Sequence, residues 1–353
     1  MRWALDPEQE MFVEAFAGWL ERCASPASVR RWLDGADPSE FEGLLAAEGW
    51  IAVGVDEAAG GQGGGLLELA LTIEQLARRA APSSAWLATV LALPALGEEM
   101  IETVLAEGRF AAIVASANDP LDGDTSAVAA SDGALTGTVE LVLGADRAHL
   151  LVVPVGSDLY LVESSAKGVT VSPRELLDRS RTAANVTLAD ASGDRLARDA
   201  TSFLRAASLR AAVLAAADSL GAATRLRELA VEYSTQRTQF GAPIGSFQAM
   251  KHAAATMLVN EEASRSLAYY AAESVENELP EAHLHAAAAK AQVAQAGSDT
   301  AESSLTMHGA IGYTWEHDLQ LLYKRAKLDV SLFGAPARWN ERIADDLGLA
   351  PDN

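Results

Sequence analysis

The chain has 353 residues, a net charge of −22 at pH 7 and 49% hydrophobic residues. This acidity argues against binding to nucleic acid or to an anionic membrane surface, and the length suffices for a large core divided into two or three subdomains. The single cysteine excludes a disulfide within the chain, no apolar run approaches 18 residues, and the six histidines lack metal-ligand spacing, so we expect a cytoplasmic protein without a transmembrane helix or a metal.

The first 107 residues carry apolar side chains at three- and four-residue spacing, which predicts a helical domain over 1–107. Its N-terminus lacks an apolar signal region, and Asp6 followed by Pro7 is typical of a helix cap and first turn. Cys23 falls in an apolar row, which favours core packing over a reactive thiol. The predicted helices are 6–23, 39–48, 66–80 and 84–105. We interpret the glycine-rich run 60–65 as a flexible loop, because no strand precedes it.

The pattern changes to short β-type runs over 108–200, which predicts a small all-β domain. The runs are 110–115, 135–143, 149–153, 159–162 and 186–188, separated by turns at 131–133, 155–158 and 191–194. Helical spacing returns over 201–353, in pieces at about 201–237, 245–276, 280–308, 315–329 and 335–346. Long helices with short links predict a bundle. The fold class is therefore α+β, with three domains.

The link between the first two helices of the bundle has the residues of an anion site. Arg237 precedes Gln239, Phe240 and Gly241, and a Gly-x-Pro-x-Gly turn follows. Proline and glycine fix a sharp connection, and the planar arginine fork fits a diphosphate in two-pronged fashion. Glutamine and a glycine backbone can complete the site, and phenylalanine can cover an adenine. An ordinary helix–helix loop with a surface arginine is the alternative.

A second segment decides between these interpretations. His308, Gly309 and Gly312 lie in the run 307–318, which a Lys-Arg-Ala-Lys helix at 324–327 follows. Together with the Arg-x-x-Phe-Gly-x-x-Ile-x-x-Phe-Gln pattern of 237–248, this closely resembles the acyl-CoA dehydrogenase family. The Gly-Trp pair at 49–50 and the Gly-Gly-x-Gly at 60–63 extend the resemblance to the N-terminus. It therefore covers nearly the whole chain and implies the family's helical, β and helical-bundle architecture.

The resemblance implies FAD-dependent α,β-desaturation of an acyl-CoA thioester, with an electron-transfer flavoprotein or a similar acceptor. In the family fold FAD lies across a subunit interface, and the neighbouring subunit supplies the Arg and the Phe-Gly loop to its ADP half. The residues that the resemblance assigns to cofactor binding are Arg237, Gln239, Phe240, Gly241, Phe247, Gln248, His308, Gly309 and Gly312.

The residues expected to carry the chemistry are missing. Family members use a glutamate base, and Gly334 stands at the matching position, while Ala211 stands where some members place it on a bundle helix. Glu316 and Asp318 are the nearest spare carboxylates, and we interpret both as helix N-terminal charges, with Glu316 a weak candidate base. The segments that face the flavin ring also depart from the family pattern, at 115–120 and 142–145.

Three interpretations stay open. The chain is a non-catalytic partner that lends FAD contacts in trans, resembling the short, base-lacking subunits of the α2β2 acyl-CoA dehydrogenases of actinobacterial steroid side-chain breakdown. Alternatively, it is a self-sufficient homo-oligomeric dehydrogenase with a relocated base, or a redox-inactive protein that binds acyl-CoA or a partner. The sequence favours the first and does not distinguish a fatty acyl substrate from a steroid side chain.

Overall fold

The computed structural model describes residues 4–35, 37–131 and 133–349. The first three residues of the N-terminus and Asp132 of the predicted turn at 131–133 lie outside these ranges. Six helices come first: α1 (Pro7–Cys23), α2 (Pro26–Gly35), α3 (Ser39–Ala47), α4 (Leu66–Arg78), α5 (Ser84–Ala92) and α6 (Glu98–Ala106).

The start of α1 confirms the predicted cap. The Asp6 carboxylate accepts the backbone N–H of Glu8 and of Gln9, each at 2.9 Å, and the Gln9 side chain accepts the Asp6 N–H at 3.1 Å. This reciprocal pair is a capping box, which satisfies donors that the first helical turn leaves free. Cys23 is half-buried against the core, as predicted, and burial raises the pKa of its thiol.

Two helical predictions for this region were wrong. The segment 84–105 is two helices, because Pro94 lacks a backbone N–H and lies in a short 3-10 turn, Leu93–Ala95, before α6 begins. Helix α2 was missed, although it buries Val29, Trp32 and Leu33 at helical spacing. The glycine-rich run forms the predicted loop, and backbone hydrogen bonds of 2.8 Å join Gly63 to Gly54 and to Val55.

The middle of the chain forms two four-stranded sheets. Their strands are β1 (Ala111–Ile113), β2 (Val128–Ser131), β3 (Ala134–Leu143), β4 (Leu150–Val155), β5 (Asp158–Glu163), β6 (Val169–Arg174), β7 (Ala183–Ser192) and β8 (Asp194–Asp199). The orders are β1-β4-β5-β8 and β2-β3-β7-β6, and only the β1–β4 pair is parallel among these strands. Apolar residues such as Leu135, Val142, Leu151 and Val186 form a separate core here. Strands β2, β6 and β8 were not predicted, because most of their residues are exposed and polar or small.

The C-terminal bundle contains α7 (Ala200–Gln236), α8 (Gln248–Glu276), α9 (Ala282–His308), α10 (Leu319–Ser331) and α11 (Pro336–Asp346). Helix α7 packs against α4, α8, α9 and α10. Contrary to the expectation from sequence, α7 is long and apolar enough to cross a membrane, but 83% of its most apolar window is buried inside the fold. Gly221 permits the contact with α4, because a Cβ there would lie 2.2 Å from the Glu74 carbonyl oxygen.

A buried ionic cluster joins the three parts of the chain. Arg325 of α10 donates to both carboxylate oxygens of Asp218 of α7 at 2.7 Å, and to the Ala81 carbonyl at 2.8 Å. Arg181, which precedes β7, donates to Asp218 and to Ser83. Although burial opposes it, the two guanidiniums lower the pKa of Asp218 to about 2. The arginine of the 324–327 segment therefore holds the domains together.

Candidate functional site

The link between α7 and α8 is a short β-hairpin that projects from the bundle. Arg237 ends α7, with its N–H bonded to the Tyr233 carbonyl at 2.9 Å. Strand β9 (Thr238–Gln239) then pairs with β10 (Ala242–Pro243). Phe240 and Gly241 form the turn with φ of 53° and 81°, which is typical of a two-residue hairpin. The turn leaves the Phe240 ring 93% exposed.

The charged and aromatic side chains of this hairpin are available for a ligand. The exposed Arg237 guanidinium has no hydrogen-bond acceptor or carboxylate partner within the described ranges. Phe247 is 39% exposed and meets Phe240 edge to face, with ring centroids 6.2 Å apart. Gln248 is exposed at the first turn of α8, where free backbone N–H groups favour an anion. Gln239 is exposed as well.

The second predicted segment lies at the same end of the bundle. The His308 ring at the end of α9 stacks on Tyr233, with centroids 4.7 Å apart, and its Nδ1–H donates to the Ser304 carbonyl at 2.7 Å. Burial lowers the pKa of His308, so its imidazole is neutral. Gly309 is exposed with φ of 63°, and Gly312 is buried. The sequence did not predict the contact between His308 and Tyr233, which lies four residues before Arg237. The only signal for this contact was an aromatic residue one helical turn before the loop.

The position that the resemblance assigns to the base is crowded. Gly334 is buried with φ of 97°, and a Cβ there would lie 2.9 Å from Pro120 Cδ and 3.1 Å from Trp339 Nε1. The preceding Phe333 is 2% exposed, and its N–H donates to the Ala117 carbonyl at 2.6 Å. The sequence did not predict that Pro120 contacts Gly334, since Pro120 lies far away along the chain.

The other positions considered for a base do not replace the missing carboxylate. Ala211 is fully buried in α7. Glu316 is exposed just before α10, and its backbone carbonyl accepts a hydrogen bond from Arg30 at 2.8 Å. Asp318 is the N-cap residue of α10, but its carboxylate binds Arg30 instead of capping the helix. Neither of the two positions that the resemblance assigns to the base, Gly334 and Ala211, therefore holds a carboxylate.

The residues of the hairpin fit the ADP half of FAD. Arg237, Phe240 and the start of α8 offer a free cation, an aromatic face and backbone donors, which suit the diphosphate and adenine. Ala115 and Leu143, from the two segments that depart from the family pattern, border with Phe333 a cavity of about 10 Å³. That volume holds at most about one water, whereas Ala115 also lines a separate cavity of about 370 Å³.

Comparison with known proteins gives the family. The acyl-CoA dehydrogenase N-terminal domain model matches residues 6–101, and the C-terminal domain model matches residues 205–347. The chain is 31% identical to acyl-CoA dehydrogenase IpdE2 of Mycolicibacterium smegmatis, over 97% of this chain and 100% of that protein. It is also 31% identical to FadE34 of Mycobacterium tuberculosis, over 95% of this chain and 47% of that protein.

The fold agrees with these relatives. A chain of the ChsE4-ChsE5 complex from Mycobacterium tuberculosis matches with a TM-score of 0.87 and 24% identity over 100% of both chains. The chain therefore belongs to the acyl-CoA dehydrogenase family, whose members are FAD-dependent oxidoreductases. The predicted α+β fold, with helices, then a β region, then a helical bundle, is confirmed.

Proposed function

We propose that this chain is the base-lacking subunit of a heteromeric acyl-CoA dehydrogenase, and that its Arg237 hairpin contacts FAD held by a related catalytic subunit. The observation that carries the proposal is the enclosure of Gly334 by Pro120 and Trp339. Desaturation requires a carboxylate set against the α carbon, and a positioned base is worth about 10²–10⁴ in rate. A chain with no room for that carboxylate depends on a partner for catalysis.

The projecting hairpin supports a contribution in trans. A 93% exposed phenylalanine beside an unpaired arginine is an unfavourable surface for an isolated chain, and both become useful when a neighbouring subunit brings a diphosphate and an adenine.

The relatives agree with a paired arrangement. One structural neighbour is a chain of the ChsE4-ChsE5 complex, which pairs two differently named chains. The region of FadE34 that matches this chain is 47% of that protein, so a second region of similar length remains in it. Each fact fits a unit that works beside a second acyl-CoA dehydrogenase unit.

When bound, FAD would accept the hydride from the β carbon of the acyl-CoA, and an electron-transfer flavoprotein or a similar acceptor would reoxidise it. Arg237 would pair with the diphosphate through its planar fork, with Gln239 and Gln248 beside it. Phe240 and Phe247 would cover the adenine, and Gly309 would allow a close backbone approach. Tyr233 and His308 would hold the two segments side by side.

Co-expression with a related dehydrogenase chain that has a glutamate at the position matching Gly334 tests the proposal. We expect a yellow α2β2 complex that carries one FAD for each pair of different chains and oxidises an acyl-CoA. The chain alone should purify without flavin. A stable homo-oligomer of this chain with one flavin per subunit would support the self-sufficient alternative, and a colourless chain that binds acyl-CoA alone would support the redox-inactive one.

A further inference from the structure

Arg210 is an incompletely paired cation in the interior of the chain. It lies on α7, and its side chain is 21% exposed, with Nη1 3.7 Å from the Glu276 carboxylate. That carboxylate oxygen already accepts the Leu66 N–H at 3.0 Å, which begins α4. The Arg210 Nε–H is buried and has no acceptor. Burial lowers the pKa of the guanidinium, and Glu276 offsets this only in part.

Arg210 forms one wall of a cavity of about 550 Å³ between α4, α5, α6 and the start of α7, called here the N-terminal cavity. This volume falls within the roughly 300–1,000 Å³ of small-molecule sites. The other walls are mainly apolar: Val53, Leu69, Val90, Leu93, Leu96 and Ile101. An apolar space with a single buried cation suits a molecule with an apolar body and one anionic group.

The remaining charges limit the kind of anion. Arg198, Asp56 and Glu98 also line the N-terminal cavity, and all three are exposed at its rim. The two carboxylates there disfavour a highly charged group such as a diphosphate, because like charges at close range repel. A single carboxylate that reaches past the rim to Arg210 avoids this repulsion.

A second cavity touches the opposite side of Arg210 but suits an anion less well. It measures about 1060 Å³ and is bordered by α7, α9 and α11. Its walls contain Asp122, Glu276, Glu278, Asp345 and Asp346. Arg342 is already paired with Asp122 through two hydrogen bonds of 3.1 and 2.7 Å. The N-terminal cavity is therefore the better place for the anion.

We propose that the N-terminal cavity binds an apolar monocarboxylate, with its carboxylate on the Arg210 guanidinium and its apolar chain against α4, α5 and α6. The carboxylate would accept from the N–H groups of the Arg210 guanidinium that face the cavity, with the two-pronged geometry that arginine favours. This site is separate from the Arg237 hairpin and does not depend on FAD or on the subunit arrangement.

Isothermal titration of the full chain with decanoate tests the site, with decanol as the uncharged probe. We expect Arg210→Gln to weaken decanoate binding about tenfold or more and to leave decanol binding unchanged, because only a charge-assisted contact is lost. Arg210→Lys, which keeps the charge without the fork, should fall between. Circular dichroism and the elution volume confirm that each variant keeps its fold.

Two further variants separate the effect of the Arg210 charge on decanoate binding from the effect of the space in the N-terminal cavity. Arg205→Gln is the matched control, since Arg205 is exposed on the same helix and lines only the second cavity. It should leave decanoate binding unchanged. Gly97→Phe should weaken both probes, because a Cβ at Gly97 meets nothing within 4 Å and the ring would fill the mouth of the N-terminal cavity. Absence of decanoate binding, or equal binding by wild type and Arg210→Gln, would overturn the proposal.

Discussion

Gly334→Ala should destabilise this chain by about 2–5 kcal/mol. A residue with a side chain at the φ of 97° costs about 1–2 kcal/mol of backbone strain. The new methyl group would also lie 2.9 Å from Pro120 Cδ and 3.1 Å from Trp339 Nε1, and such overpacking costs about 1–3 kcal/mol. Glutamate is larger still, so Gly334→Glu should fold poorly and should not create a catalytic base.

Two matched glycines separate the backbone cost from the packing cost. Gly241 has a similar φ of 81°, but its Cβ would meet nothing within 4 Å, so Gly241→Ala should lose only about 1–2 kcal/mol. Gly43 lies inside α3 with no positive φ and open space, so Gly43→Ala should gain about 0.5–1 kcal/mol. Urea unfolding followed by circular dichroism measures all three.

The order of the three variants is the decisive result. If Gly334→Ala loses no more stability than Gly241→Ala, the contacts with Pro120 and Trp339 are not restrictive, and the argument for a closed base position fails. Acyl-CoA dehydrogenase activity in the isolated Gly334→Glu variant would contradict the argument more directly, because this activity would require space for a working carboxylate at residue 334.

The other predictions concern the hairpin, the chemistry and the buried charges. In the heteromeric complex, Arg237→Ala should reduce FAD retention about tenfold or more, since a charge-assisted contact is worth about 1.5–3 kcal/mol; unchanged flavin content by absorbance would refute its role. Anaerobic mixing of the isolated chain, reconstituted with FAD, with a panel of acyl-CoAs should give no bleaching of the flavin absorbance; rapid bleaching would reveal a missed base, with Glu316→Gln as the next variant. The folded-state pKa of Asp218, about 2, lies below the ordinary value of 3.8. The contribution of the Asp218 carboxylate to the free energy of unfolding is therefore fully present above pH 3.8 and is lost as the pH falls towards 2. Unfolding free energies between about pH 5 and 2 should therefore drop less in Asp218→Asn than in the wild type. That variant should nevertheless be about 3–5 kcal/mol less stable at neutral pH, because Arg181 and Arg325 lose the carboxylate that both contact and Arg181 keeps only the longer contact of 3.6 Å to Asp329.

Much of the fold could be predicted from the sequence, because its signals are local. The long helices α7, α8 and α9 follow from apolar spacing within each segment, and the Asp6 cap follows from neighbouring residues. The edge strands β2, β6 and β8 gave little signal, since backbone pairing with one neighbouring strand, not burial of alternate side chains, defines them.

The sequence by itself determined the family, and it placed glycine and alanine at the positions that the resemblance assigns to the base, because motifs and residue identities need no coordinates. Only the tertiary structure decided that a side chain at Gly334 would be strained and crowded, since Pro120 reaches it from the β region of the fold. The same holds for the free Arg237 guanidinium, for the charge cluster around Asp218, and for the underpaired Arg210 beside the N-terminal cavity. Each depends on which distant groups come within a few ångströms, and local sequence patterns do not specify those distances.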